Sequence, residues 1–154
     1  MQSTRDKSSI LVAAIRQHTS VIHDFGERIR QMMSTSGNVN EEEYDSQEQS
    51  FKAETSAKVN LLSEQLAFAN KELDELTRMK QNIAVNHTQV GLGSVVTTDR
   101  DTFFVSASIE RFHVDGVPYF GLSIHTPLYK EMKGKKAGET FSYKKTTYTI
   151  KEIS

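Results

Sequence analysis

The chain of 154 residues contains no cysteine and no tryptophan. The first absence removes disulfides and thiolate-bound zinc as sources of stability or chemistry. Long apolar runs are missing too. The longest, Ile10 to Ile15, falls far short of the roughly 20 residues a spanning helix needs, and no apolar signal-peptide core with a cleavage site follows the start. A cytoplasmic protein without a membrane contact is expected, which makes the Asn86-His87-Thr88 sequon accidental. Cations are absent from Gln31 to Phe51, a stretch that holds Glu41, Glu42, Glu43, Asp45 and Glu48. Residues 1–86 carry ten Lys/Arg against thirteen Asp/Glu, a balance of −3, and residues 87–154 carry nine against seven, a balance of +2. One end of the molecule is therefore expected to be negative and the other locally positive, since lysines crowd the last quarter of the chain from Lys130 to Lys151.

Two apolar stripes flank the acidic stretch. Leu11, Ile15, His18, Ile22, Phe25, Ile29 and Met32 recur at alternating spacings of four and three, as do Val59, Leu62, Leu66, Ala69, Leu73 and Leu76. That spacing averages 3.5 residues, the period that keeps one helix face turned toward a partner over several turns. Helices are expected from Thr4 or Ser8 to Met33 and from Glu42 or Ser46 to Ile83, roughly 40 and 60 Å long. Between them, Ser34-Thr35-Ser36-Gly37 reads as a helix break, so the second helix folds back antiparallel on the first. The acids then occupy the tip of a thin stalk. His18 sits in the seam, where a single polar residue sets register, and Gly26 is a tolerated cost within the first helix.

After Asn86 the period becomes strand-like, so a stalk of residues 1–87 with its acidic tip near 37–48 and a second domain of residues 88–154 are expected. Val90-Gly91-Leu92-Gly93 reads as the linker into that domain, with a hinge at its two glycines. Phe103–Ile109 and Tyr119–Ile124 are aromatic and β-branched runs around the turn signal Val114-Asp115-Gly116-Val117, and read as a hairpin or as adjacent strands. Thr140–Tyr143 and Thr147–Ile150 form a second antiparallel pair around Lys144-Lys145-Thr146. Thr126 caps a short helix that Pro127 opens, and Gly134 or Gly138 marks its end or the next turn. The fold class is α+β: an antiparallel coiled-coil hairpin followed by a small antiparallel-sheet domain.

Catalytic motifs are missing. Gly91-Leu92-Gly93 lacks the third glycine of a dinucleotide loop, and there is no phosphate-binding GxxxxGK[ST] segment, no GxSxG elbow and no HExxH. The acids at 41–45 lack the alternation and the sixth-position glycine of a calcium loop. No intrinsic active site is expected, and no cofactor on the protein alone.

The acidic-tipped hairpin, together with His125-Thr126-Pro127-Leu128, Gly134-Lys135-Lys136-Ala137-Gly138-Glu139 and the closing Tyr148-Thr149-Ile150-Lys151-Glu152-Ile153, resembles the Gre transcript-cleavage factors of bacterial RNA polymerase. Nearly the whole chain takes part in the resemblance. Gly37-Asn38-Val39-Asn40-Glu41-Glu42-Glu43-Tyr44 resembles the tip segment of that family with one residue deleted. The C-terminal domain of the family is itself similar in fold to isomerases of the FK506-binding type.

The resemblance implies a transcription elongation factor that binds RNA polymerase through its C-terminal domain. Its coiled coil would enter the secondary channel, where the polymerase cleaves backtracked RNA. The factor is an accessory, not an enzyme. Its tip residues Asn38, Glu41, Glu42, Glu43 and Asp45 would act in trans, with Asn38 and Glu41 at the two positions that share a Mg²⁺ ion with the polymerase active site. Asn38 replaces a carboxylate and brings oxygen without charge, which weakens the site for a hard dication. Docking falls to Ile124, His125, Thr126, Pro127 and Leu128, with His125 in place of an acid. A monomer in indirect contact with nascent RNA or DNA is implied. The alternatives are a non-cleaving regulator that blocks the same channel and, at greater distance, a peptidyl-prolyl isomerase or chaperone, an activity that fold likeness alone does not establish.

Overall fold

The computed structural model describes the backbone of residues 6–37 and 46–154 and the side chains of 6–34 and 53–154. Helix α1 runs from Lys7 to Gly37 and α2 from Ser46 to Arg78. Asp6 starts α1: its carboxylate accepts from the Ser8 N–H at 3.0 Å and its carbonyl from the Ser9 N–H at 3.0 Å. The first helix continues through Ser34–Gly37 instead of stopping at Met33. Serine, threonine and glycine each cost about 1 kcal/mol or less in a helix, too little to stop one that is already propagating. The second helix stops earlier than expected, at Arg78, and tightens into a 3-10 turn at Met79–Gln81. This frees Ile83, 6% exposed, to enter the core below.

Six strands follow: β1 Val95–Thr98, β2 Thr102–Ser106, β3 Ile109–Val114, β4 Val117–Ser123, β5 Thr140–Tyr143 and β6 Thr146–Ile153. They form one sheet in the order β3-β4-β2-β1-β6-β5, and α3, Pro127–Met132, lies between β4 and β5 in sequence. The α+β class is as expected, but the sheet is mixed, not wholly antiparallel. The runs at 103–109 and 119–124 are neighbours through a parallel pair, β2 with β4, in which Phe103 stands opposite Phe120 and Val105 opposite Leu122. The first run breaks at Ala107–Ser108, and β3 is the hairpin partner of β4 across Asp115-Gly116. Gly121 permits the crossover: a Cβ there would lie 2.5 Å from the Ala107 carbonyl oxygen and 2.6 Å from the Ile109 Cβ.

The chain forms two compact units, one of residues up to His18 together with Leu73–Ser154, the other of residues 19–72. In the first, alternation along the strands feeds a core on each sheet face. Val95, Phe104, Ile109, Phe112 and Tyr119 pack with Ile10, Leu11 and Ala14 of α1, Leu76 of α2 and Ile83. The start of α1 thus meets the end of α2, which makes the two helices antiparallel. Val96, Phe103, Val105, Leu122, Phe141 and Ile150 pack on the other face with Tyr129 and Met132 of α3. His18, a seam position, is buried. In the second unit the expected stripes are covered: Ile22, Phe25, Ile29, Val59, Leu62 and Leu66 are half-buried and Ala69 is buried.

Val90–Gly93 is tied into the sheet unit, contrary to the linker expected there. The Val90 N–H donates to the Lys135 carbonyl at 2.8 Å, its carbonyl accepts from Gly134 at 3.0 Å, and the Gly93 N–H donates to Val105 at 2.8 Å. Backbone groups of Val90, Gly91 and Gly93 are thus engaged inside the unit, so the segment is not a free hinge.

Candidate functional site

The segment 124–128 joins β4 to α3, and its conformation follows from two hydroxyls. The buried Ser123 offers its Oγ to the His125 N–H at 3.2 Å and its carbonyl to both the Thr126 N–H at 3.2 Å and the Thr126 hydroxyl at 2.7 Å. Thr126 Oγ1 in turn accepts from the Tyr129 N–H at 3.4 Å, completing the cap that the sequence predicts, with Pro127 at the first helical turn. The Lys133 N–H returns to the Tyr129 carbonyl, and Gly134, at φ 77°, turns the chain away.

This arrangement divides the five residues by role. Ile124 and Leu128 pack, half-buried, against the Phe103–Phe141 core, while His125 and Pro127 stand exposed between them. A rigid loop with apolar roots and two outward side chains can present a fixed surface to a protein partner without ordering cost on binding. Asn38, Glu41, Glu42, Glu43 and Asp45 lie outside the described residues. Among the described residues no group of three or more His, Asp or Glu is placed to hold a metal ion, and no helix is long and apolar enough to cross a membrane.

Two further features lie outside the residues that the sequence singles out for a site. Lys7 is only 6% exposed, and its Nζ donates to the Val85 carbonyl at 2.8 Å. Burial holds this ammonium below the ordinary lysine pKa. The nearby His87 is likewise held below the ordinary imidazole value, first by burial and then by the Lys7 charge. His87 lines a cavity of about 490 Å³ with Glu75, Arg78, Met79, Ile83, Val85 and Leu92. The other feature is a pair of lysines, Lys144 and Lys145, in left-handed backbone at φ 50° and 65°. The sequence places this turn at Lys144-Lys145-Thr146, and the structure narrows it to the two lysines because Thr146 pairs with Tyr143, although lysine is not a residue such a turn favours.

No protein-family profile and no curated protein matches the chain. Among solved structures it is similar to GreA factor homolog 1 (Gfh1) of Thermus thermophilus, at 17% identity and a TM-score of 0.33 over 92% of this chain and 95% of that one. It is also similar to Gfh1 of Thermus aquaticus, at 16% identity and a TM-score of 0.32 over 92% of this chain and 94% of that one. At these values the likeness establishes neither family nor activity.

Proposed function

We propose that this protein is a Gre-like accessory factor of bacterial RNA polymerase, docking through 124–128 and placing the acidic segment between its two long helices in the secondary channel. The observation that supports the reading most is the coincidence, in one chain, of the C-terminal motif with a hydrogen-bonded, capped loop that exposes His125 and Pro127. An antiparallel helix pair adds reach, and the chain between its helices carries five carboxylates within eight residues, Glu41 to Glu48.

The polymerase performs the chemistry. Hydrolysis of a phosphodiester in a two-metal site needs charge stabilisation at the attacking and leaving oxygens, which Mg²⁺ supplies when bound. Glu41 and Asn38 would hold the ion from the factor's side. Both are oxygen donors and suit Mg²⁺ in kind, but only one is charged. Asn38 favours a second reading, a regulator that occupies the channel with little stimulation of cleavage.

Docking is tested by co-sedimentation of the full chain with bacterial core polymerase. His125→Ala, at an exposed position, is expected to weaken binding about fivefold or more if His125 is a contact residue. Absence of polymerase binding by the parent protein overturns the proposal.

A further inference from the structure

The sheet contains two hairpins closed by two-residue turns with both central residues at positive φ, the type I′ geometry. In the β3–β4 hairpin those residues are Asp115 and Gly116, a pair this turn accepts readily. In the β5–β6 hairpin they are Lys144 and Lys145, flanked by the pair Tyr143 and Thr146. A lysine has no short side chain to offset the left-handed backbone, so the same fold solves one problem comfortably and the other under strain. Protection of the sheet edge does not account for this. Edge strand β5 reads Thr140-Phe141-Ser142-Tyr143 and contains no charge, so the lysines stand only at its tip.

The surroundings of that tip share one chemistry. Lys144 Nζ lies 5.4 Å from the centre of the Tyr143 ring. Arg100, from the β1–β2 turn, donates its Nε to the Thr147 carbonyl at 3.1 Å and sets its guanidinium 6.0 Å from the centre of the Tyr148 ring. A third cation is thereby fixed beside the hairpin. Ser142 and Thr147 share a hydroxyl–hydroxyl hydrogen bond of 3.2 Å across the two strands. Of the neighbouring acids, Asp99 is engaged by the Thr149 N–H at 2.8 Å, and Asp101 flanks Arg100 in sequence. Exposed cations interspersed with hydroxyls are the groups that contact phosphate oxygens. A protein interface would instead be expected to centre on an aromatic or aliphatic anchor free to enter a partner, whereas here the Tyr148 ring is stacked on Phe141 at 4.8 Å and the half-buried Tyr143 ring lies beside the Lys144 ammonium.

We infer that the β5–β6 hairpin tip, with Lys144, Lys145 and Arg100, is a sequence-independent contact for the sugar-phosphate backbone of a nucleic acid. The contact is separate from polymerase docking and stands or falls without it.

The test is fluorescence anisotropy of the full chain with a labelled twenty-nucleotide oligouridylate over a range of salt. Two double variants are compared with the parent: Lys144→Asn with Lys145→Gly, which removes charge and strain, and Lys144→Gln with Lys145→Gln, which removes charge alone. Both are expected to bind roughly tenfold or more weakly at low salt, and the slope of log affinity against log salt should fall by about 1.4, two single-strand phosphate contacts at about 0.7 each. The Asn-Gly variant should melt no lower than the parent, which separates lost contact from lost fold. Undetectable binding by the parent, or affinity and slope unchanged from the parent in both variants, overturns the inference. Equal competition by a polyglutamate peptide of matched charge overturns its assignment to nucleic acid.

Discussion

Replacing Gly121 by alanine decides between two opposite expectations. On strand preference alone the change should help, because glycine within a strand is worth about 0.5–1 kcal/mol less than alanine. The structure reverses the sign. The added Cβ would lie 2.5 Å from the Ala107 carbonyl oxygen and 2.6 Å from the Ile109 Cβ, both belonging to the connection that carries the chain past β4 into β3. The oxygen is backbone and Ile109 is 5% exposed, so neither can swing aside as a surface side chain would. Overpacking of this kind costs typically 1–3 kcal/mol. Taking the upper part of that range and subtracting the propensity gain leaves a loss of about 2 kcal/mol. For a chain of this size that lowers the melting temperature by roughly 4–8 °C. Urea unfolding of both proteins, followed by circular dichroism, measures the difference. An unchanged or raised midpoint would refute the close crossing at Gly121, and with it the parallel β2–β4 pairing.

The complementary change is Gly26→Ala. A Cβ there meets nothing within 4 Å, so the helix gains about 1 kcal/mol and the melting temperature rises. Thr126→Ala removes the cap of α3 together with the hydroxyl bond to Ser123. The expected cost is about 1 kcal/mol in chemical denaturation, with faster amide exchange at Tyr129. His87 sets a pH dependence: its folded pKa lies below its unfolded one, so the unfolded state binds more protons between the two values. Stability is then full above the ordinary imidazole pKa and declines as pH falls through the window beneath it. His87→Asn should flatten the melting temperature over that window.

The helical hairpin was legible because a 3.5-residue stripe needs no long-range information. The same residues that recur in sequence, from Leu11 to Leu76, are those that become covered. Helix ends were less legible. Ser34–Gly37 looks like a break by local preference, yet continues a helix already formed, while Ile83 leaves its helix because the sheet unit buries it. The crossover after β2 had no local signature: two apolar runs separated by a turn look alike whether paired to each other or through an intervening strand. The parallel β2–β4 ladder reveals which, and the close approach of Ala107 and Ile109 to Gly121 explains why a glycine stands there. In the candidate docking loop, Thr126 and Pro127 announced the cap, whereas the bonds from buried Ser123 that fix the exposure of His125 depend on packing. Lys7 and Val85 are far apart in the chain, so their hydrogen bond could not be anticipated.

Cleavage of end-labelled nascent RNA in stalled, backtracked elongation complexes tests the central claim most directly, with the parent protein, Glu41→Ala and Asn38→Asp compared at equal polymerase occupancy. The account predicts shortening of the transcript above the polymerase's own rate, loss of that gain in Glu41→Ala, and a larger gain in Asn38→Asp, where a second carboxylate strengthens the hold on Mg²⁺. Polymerase-bound protein that leaves the rate unchanged in all three forms would contradict it.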